Sequence, residues 1–142
     1  AQPRDDRGQP RETELTHWPI QLRLVPPDAV FLQGADLLIA SDCAAAACPD
    51  FHRRFVAGRV LLMGCPKFDD LDSYREKCAH IFRTAGIRSI TVVIMEVPCC
   101  SGMPAMVRNA LSAARPPVSC EVVTLNVHGA VVARCSAAQR VV

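Results

Sequence analysis

Short apolar runs alternate with amphipathic stretches along most of the chain. The apolar runs have the length of strands. We predict strands over His17–Val25, Ala35–Ala40, Arg59–Met63, Ser89–Val97, Glu121–Leu125 and Ala130–Arg134. Helices are predicted between them, over Pro49–Val56, Asp69–Thr84 and Met103–Ala114. Strands that alternate with helices of this length are joined by crossovers, so the pattern predicts a largely parallel sheet with helices on both faces.

Two stretches refine this prediction. The helix over Asp69–Thr84 has the clearest pattern, because its apolar residues recur at helical spacing, at Leu71, Tyr74, Cys78 and Ile81. Near the end of the chain, His128 and Gly129 form a turn signal between the last two predicted strands. We therefore predict an α/β fold of three layers, with a mainly parallel Rossmann-like or flavodoxin-like sheet and a C-terminal β-hairpin.

The length and composition are those of one domain. The chain has 142 residues, of which 50% are hydrophobic, and this is enough to bury a core without crosslinks. Residues 1–16 are polar, charged and proline-bearing, so we predict a disordered tail there and a single domain over residues 17–142. The tail lacks the apolar run of a signal peptide, and no apolar run elsewhere is long enough to cross a membrane. With a formal net charge of only +2, we expect a soluble, cytoplasmic protein that binds neither membrane nor nucleic acid.

The cysteine content is unusual for a chain of this kind. Eight cysteines would suggest disulfides in a secreted protein, but the chain shows no export signal. Cys99 and Cys100 are adjacent, so their Cα atoms lie about 3.8 Å apart, which is shorter than a disulfide prefers. Clustered thiols in a cytoplasmic protein indicate metal binding or redox chemistry rather than crosslinking.

Four of the cysteines follow the ends of predicted strands. Cys43 follows Ala35–Ala40, Cys65 follows Arg59–Met63, and the pair Cys99 and Cys100 follows Ser89–Val97. The carboxyl ends of parallel strands share one edge of the sheet, and neighbouring strands are about 4.8 Å apart, so we expect the four thiols to converge there. Four thiolates satisfy a tetrahedral zinc ion or an iron–sulfur cluster equally well.

The remaining cysteines and nearby polar groups have other expected roles. We predict that Cys78 and Cys120 are buried in the core, and that Cys135 has no role in the site. For Cys48 the sequence allows two roles, a fifth ligand or an ordinary residue at the start of a helix. His52 and Lys67 are candidates to tune the site: Lys67 would lower the pKa of Cys65 and pair with Glu96 at the end of a buried strand.

From Trp18 to about Val132 the chain resembles the C-terminal domain of a family of two-part bacterial and archaeal iron–sulfur proteins. The resemblance is carried by the segments WPIQLRLVPP, ADLLIASDC, FHRRF, GRVLLMGCPKFDD and SITVVIMEVPCCSG. In that family a ferredoxin-like [4Fe–4S] module precedes a Rossmann-like domain. The resemblance implies that the recurrent positions of the family are Asp42, Cys43, His52, Cys65, Pro66, Lys67, Asp69, Glu96, Cys99 and Cys100. The ferredoxin-type cysteine run is missing here, so we expect this domain alone to hold any cluster.

These observations lead to one main functional hypothesis and two alternatives. The main hypothesis is a cytoplasmic iron–sulfur protein of electron transfer or redox type, with a [4Fe–4S] cluster on Cys43, Cys65, Cys99 and Cys100. His52 and Lys67 would tune this cofactor, and the partner would be a redox protein, for example of the ferredoxin type. The alternatives are a zinc-binding structural or sensor domain with the same ligands, and a metal-free thiol redox enzyme that uses Cys99 or Cys100. Enzymatic activity and homo-oligomerisation are left open.

Overall fold

The computed structural model describes residues 7–9, 12–115 and 118–136. Its five strands are β1 (Asp36–Ser41), β2 (Val60–Gly64), β3 (Ser89–Met95), β4 (Ser119–Leu125) and β5 (Val131–Ser136). The α-helices are α1 (Asp42–Ala47), α2 (Leu71–Thr84) and α3 (Gly102–Ala114). Shorter helical turns cover Val30–Leu32, His52–Val56 and Pro98–Cys100. The tail predicted over residues 1–16 lies partly outside the described residues, and its disorder stays a prediction.

All five strands form one sheet in the order β2-β1-β3-β4-β5. The first four strands are parallel, and β5 runs antiparallel to β4 as the second strand of a hairpin. The predicted fold class is therefore confirmed, including the C-terminal β-hairpin. Almost every residue of β1 and β3 is buried, because a parallel sheet is covered on both faces. None of the helices in the described residues is long and apolar enough to cross a bilayer.

The strand order defines a reversal point in the sheet. From β1 the chain moves outward to β2, and it then crosses back past β1 to β3 and β4. Parallel crossovers are right-handed, so α1 lies on one face of the sheet while α2 and α3 lie on the other, where they pack against each other. The reversal falls between β1 and β3, and the carboxyl ends of strands at such a point are the usual ligand site of open α/β sheets.

The prediction of a strand over His17–Val25 is wrong, because only one residue of this segment pairs with the sheet. Gln21 alone forms a parallel bridge, to Met63 in β2. The chain then turns, because the Val25 amide donates to the Gln21 carbonyl at 3.1 Å. The fully buried residues Leu22 and Val25 are three positions apart, as in a turn, whereas a strand would bury alternate residues.

The helix predicted over Pro49–Val56 is confirmed only for its later part, and a helix that was not predicted precedes it. The structure has α-helix at Asp42–Ala47, followed by a π-helical turn at His52–Val56, and Pro49 lies in the bend between them. Alanine has the highest helix propensity of all residues, and four alanines follow one another from Ala44. A proline commonly follows the end of a helix. As a result Cys43 lies within the first turn of α1, not in a loop ahead of the helix.

The cysteines predicted to lie in the core are confirmed there. Cys78 on α2 is fully buried, and Cys120 on β4 is 2% exposed. Burial raises the pKa of Cys78 to about 12 and that of Cys120 to about 11, so both remain protonated thiols. Cys48, left open above, caps the end of α1 and lies in the same hydrophobic core. Cys135 is exposed on β5.

Replacing Cys78 by alanine should lower the free energy of unfolding by about 1–2 kcal/mol, because a fully buried side chain is lost without removing a polar partner. Urea denaturation monitored by circular dichroism would measure this change. Metal content should be the same as in the wild type. A Cys78→Ala protein that folds but has lost its metal would show that Cys78 is a ligand.

Candidate functional site

Four free thiols lie at the carboxyl ends of β1, β2 and β3, which we call the cysteine edge. Cys43 lies in the first turn of α1, directly after β1, and is exposed. Cys65 follows the last residue of β2 and is partly exposed. Cys99 and Cys100 lie in the 3-10 turn after β3, where Cys99 is exposed and Cys100 is buried. Each thiol therefore follows a strand end, as the sequence predicts.

The electrostatics of Cys43 link these four thiols. The pKa of Cys43 is raised, and burial is the largest cause. The nearby negative groups of Cys100, Cys65, Asp42 and Cys99 raise this pKa further. The thiols of all three loops are therefore within electrostatic reach of Cys43. In the described part of the chain, however, no three Cys, His, Asp or Glu side chains are positioned to hold a metal ion together.

The loops after β2 and β3 touch each other through Gly102. A Cβ atom at Gly102 would lie 3.0 Å from Cδ1 of Leu71 and 3.4 Å from Cβ of Pro66. Glycine at the start of α3 thus lets the loop that carries Cys99 and Cys100 approach the loop that carries Cys65. This contact brings two of the three cysteine loops side by side.

Asp69 fixes the backbone of the Cys65 loop. Its amide donates to the Cys65 carbonyl at 2.9 Å, and its Oδ2 accepts from the Cys65 amide at 2.9 Å. The same carboxylate accepts a hydrogen bond from the hydroxyl of Tyr74, which is buried on α2. The Cys65 amide and then the Tyr74 hydroxyl lower the pKa of Asp69, so the carboxylate is ionised at neutral pH. Burial, followed by the neighbouring Asp69, raises the pKa of Tyr74 above its ordinary value.

Gly64 is required by the position of Tyr74. A Cβ atom at Gly64 would lie 2.7 Å from both Cε2 and the hydroxyl oxygen of Tyr74, closer than side chains approach each other. Asp70 has a separate structural role, because its carboxylate caps α2 by accepting from the amides of Asp72 and Ser73 at 3.0 and 3.2 Å. The two acidic residues that follow the Cys65 loop therefore hold its backbone and the helix after it.

Replacing Asp69 by asparagine should lower the free energy of unfolding at about pH 7 by roughly 1–3 kcal/mol, since hydrogen bonds to a charged acceptor are lost. Folding lowers the pKa of Asp69, so the ionised carboxylate stabilises the folded protein. This stabilisation is complete above the pKa of the unfolded chain, about 3.9, and is lost as the pH falls through the lower pKa of the folded protein. The difference between wild type and variant should therefore shrink as the pH falls below the unfolded value. Urea denaturation at about pH 7 and in acid measures it.

Asp72→Asn is the matched control for this measurement. Asp72 is on the same helix and its side chain is 83% exposed, with only a surface ion pair to Arg75 at 3.5 Å. Such pairs contribute about 0–1 kcal/mol, so this variant should resemble the wild type at both pH values. An Asp69→Asn deficit that is equally large in acid would contradict the role given to the carboxylate charge.

His52, Lys67 and Glu96 were also predicted to belong to the site. His52 is exposed, and its Nδ1 lies 3.4 Å from Oγ1 of Thr13 and from the amide nitrogen of Glu14. The predicted ion pair between Lys67 and Glu96 is wrong, because both side chains are exposed and no ion pair joins these two described residues. Water hydrates the Glu96 carboxylate, which therefore needs no partner. A tuning role for His52 and Lys67 stays a prediction.

Sequence reasoning missed Ser41, the last residue of β1. Ser41 is 2% exposed, and its Oγ is one of two buried side-chain atoms without a hydrogen-bond partner among the described residues. The other is Nδ1 of His17, whose pKa is lowered mainly by burial. A serine directly before Asp42 and Cys43 was the available signal, but serine there is also an ordinary helix cap.

The chain belongs to the Rossmann-like domain family, whose model matches residues 29–141. It is similar to an uncharacterized protein of Archaeoglobus fulgidus, with 34% identity over 118 residues, which is 83% of each chain. No solved structure gives a significant match. The family agrees with the mostly parallel sheet and its flanking helices.

Proposed function

We propose that this protein is a cytoplasmic iron–sulfur protein of electron transfer or redox type. Cys43, Cys65, Cys99 and Cys100 would hold the cluster, a [4Fe–4S] centre by the resemblance noted above. The observation that carries the proposal is that four free thiols follow the carboxyl ends of three neighbouring parallel strands. Four cysteine thiolates are the usual ligands of such a cluster, and the strand ends at the sheet reversal are the usual ligand site of this architecture.

The chemistry of the four donors fits the group, although their present orientations do not meet at one point. All four are free thiols, and Cys43 and Cys99 are exposed, so their side chains can turn toward a common centre within nanoseconds. Burial and then the neighbouring negative groups raise the pKa of Cys43, and a bound cation would offset both effects by stabilising the thiolate. When bound, the cluster would supply one-electron redox chemistry, while the protein would supply the ligands, the fixed Cys65 loop and the buried side chain of Cys100.

The other two hypotheses make different use of the same thiols. Zinc would take the same four ligands in a closed tetrahedral site, which would be structural or sensory. A metal-free thiol enzyme would use Cys99 or Cys100 as its redox thiol, and of these two Cys99 is exposed and Cys100 is buried. The expected partner of an iron–sulfur protein is a redox protein, for example of the ferredoxin type.

Anaerobic purification followed by a visible spectrum and metal analysis tests the proposal. A brown protein with broad visible absorption, iron and acid-labile sulfide is the expected result. A colourless protein with one equivalent of zinc would replace the proposal with the zinc hypothesis. A colourless, metal-free protein that still gains no visible absorption after anaerobic incubation with iron and sulfide would overturn metal binding altogether.

A further inference from the structure

Ser41 has a buried hydroxyl that the protein itself does not satisfy. The residue is 2% exposed at the end of β1, and its Oγ has no hydrogen-bond partner among the described residues. Ser41 also occupies the N-cap position of α1, yet its side chain makes no capping bond. A buried polar group left unpaired costs about 1–3 kcal/mol, so a partner outside the described residues is expected.

The position of Ser41 is between two of the candidate ligands. Ser41 is in register with Gly64 across the β1–β2 pair, and Cys65 directly follows Gly64. Cys43 comes two residues after Ser41 along the chain. Residues in register on neighbouring strands lie on the same face of a sheet, and on that face the ring of Tyr74 lies against Gly64. The unpaired hydroxyl is therefore at the cysteine edge, beside the loops of Cys43 and Cys65.

We propose that the Ser41 hydroxyl donates a hydrogen bond to a ligand sulfur of the occupied cysteine site, and this inference rests on the proposed function. A hydroxyl hydrogen can point at a sulfur that carries negative charge, and this bond favours the more negative, reduced form of an iron–sulfur centre. Ser41 is thus a tuning residue that contacts a ligand and is not itself a ligand. It makes the reduction potential less negative and strengthens binding.

The test compares Ser41→Ala with wild type in two states. In the metal-free protein the variant should resist urea at least as well as wild type, because an unpaired buried hydroxyl has been removed. After anaerobic reconstitution with iron and sulfide, its reduction potential, measured by voltammetry, should become more negative. Its resistance to chelation should fall roughly tenfold, the factor expected for one hydrogen bond to a charged group. Ser41→Thr keeps the hydroxyl and should retain the wild-type potential.

Ser89→Ala is the matched control. The Ser89 hydroxyl is on β3 at the opposite edge of the sheet, and it already donates to Oδ1 of Asp36 at 2.7 Å. This variant should lose stability toward urea and leave the potential of the reconstituted protein unchanged, which is the reverse of the result for Ser41→Ala.

The outcomes separate this inference from the proposed function. A wild-type protein that takes up no cluster would overturn both. A wild type that takes up a cluster, together with a Ser41→Ala variant of equal potential and equal resistance to chelation, would overturn the role of Ser41 alone. A metal-free Ser41→Ala protein that is clearly less stable than wild type would also overturn it, since the hydroxyl would then have a partner within the protein.

Discussion

Replacing Cys65 by serine should abolish metal binding, or reduce it to a small fraction of the wild-type content, while the secondary structure stays formed. Serine oxygen is a harder and far more basic ligand than sulfur, so it does not replace a thiolate in a soft metal site. The fold should survive because Cys65 is partly exposed and is not among the buried residues of the hydrophobic core. Metal analysis and the visible spectrum measure the loss, and circular dichroism measures the fold.

The control for this experiment is Cys135→Ser, because it makes the same change at an exposed cysteine outside the cysteine edge. Cys135 is on β5, where it pairs with Val122 of the antiparallel hairpin. It should keep the wild-type metal content. If Cys65→Ser also keeps its metal and its spectrum, then Cys65 is not a ligand, and the idea of ligands from three strands meeting at one centre is lost with it.

The strands were predictable because the parallel sheet is buried on both faces. A buried strand is a short, nearly continuous apolar run, and β3 from Ser89 to Met95 is such a run, interrupted by one threonine. The long helices α2 and α3 were predictable from their apolar spacing. The errors fall where the signal was short or irregular: α1 has only six residues, and the segment around Gln21 alternates only loosely and makes a single bridge.

The cysteine edge was predictable for a different reason. The carboxyl ends of parallel strands lie at the same edge whatever the order of the strands, so the positions of Cys43, Cys65 and Cys99 after their strands sufficed. The order β2-β1-β3 makes these three strands neighbours, and nothing local in the sequence dictates that order.

The roles that the sequence did not predict depend on distances between elements. In the sequence, Asp69 looks like an ordinary acidic residue at the start of a helix. Only the fold brings the Tyr74 hydroxyl and the Cys65 amide to its carboxylate. The need for glycine at position 64 likewise follows from the ring of Tyr74, ten residues later in the chain. Ser41 looks like a helix cap until the structure leaves its hydroxyl without a partner.

Gly129 links the C-terminal hairpin to the helix that carries Cys43. It lies in the turn between β4 and β5 with φ of +85°, and a Cβ atom there would lie 2.1 Å from the carbonyl oxygen of Ala47, the last residue of α1. The turn cannot readily move aside. Oδ1 of Asn126 accepts from the amides of His128 and Ala130 at 2.9 and 3.1 Å, and the Gly129 amide donates to the Asn126 carbonyl at 2.9 Å.

Gly129→Ala should therefore be among the most destabilising single substitutions in this protein, and Gly58→Ala separates the two causes. Gly58 has φ of +75°, and no atom lies within 4 Å of an added Cβ atom. Gly58→Ala should therefore lower the free energy of unfolding only by the cost of a left-handed backbone, about 1–2 kcal/mol. Gly129→Ala carries the same backbone cost and adds a backbone clash, so its loss of unfolding free energy should exceed that of Gly58→Ala by about 1–3 kcal/mol. Urea denaturation of both variants measures the difference.

The same pair of variants tests whether α1 positions Cys43. The clash at Ala47 acts directly on the end of α1, and Cys43 is in the first turn of this six-residue helix. Under conditions where both variants are folded, Gly129→Ala should therefore lose metal that Gly58→Ala retains. Equal stability losses in the two variants would mean that the hairpin does not press on α1. Equal metal contents, despite a larger stability loss in Gly129→Ala, would mean that the placement of Cys43 does not depend on this contact.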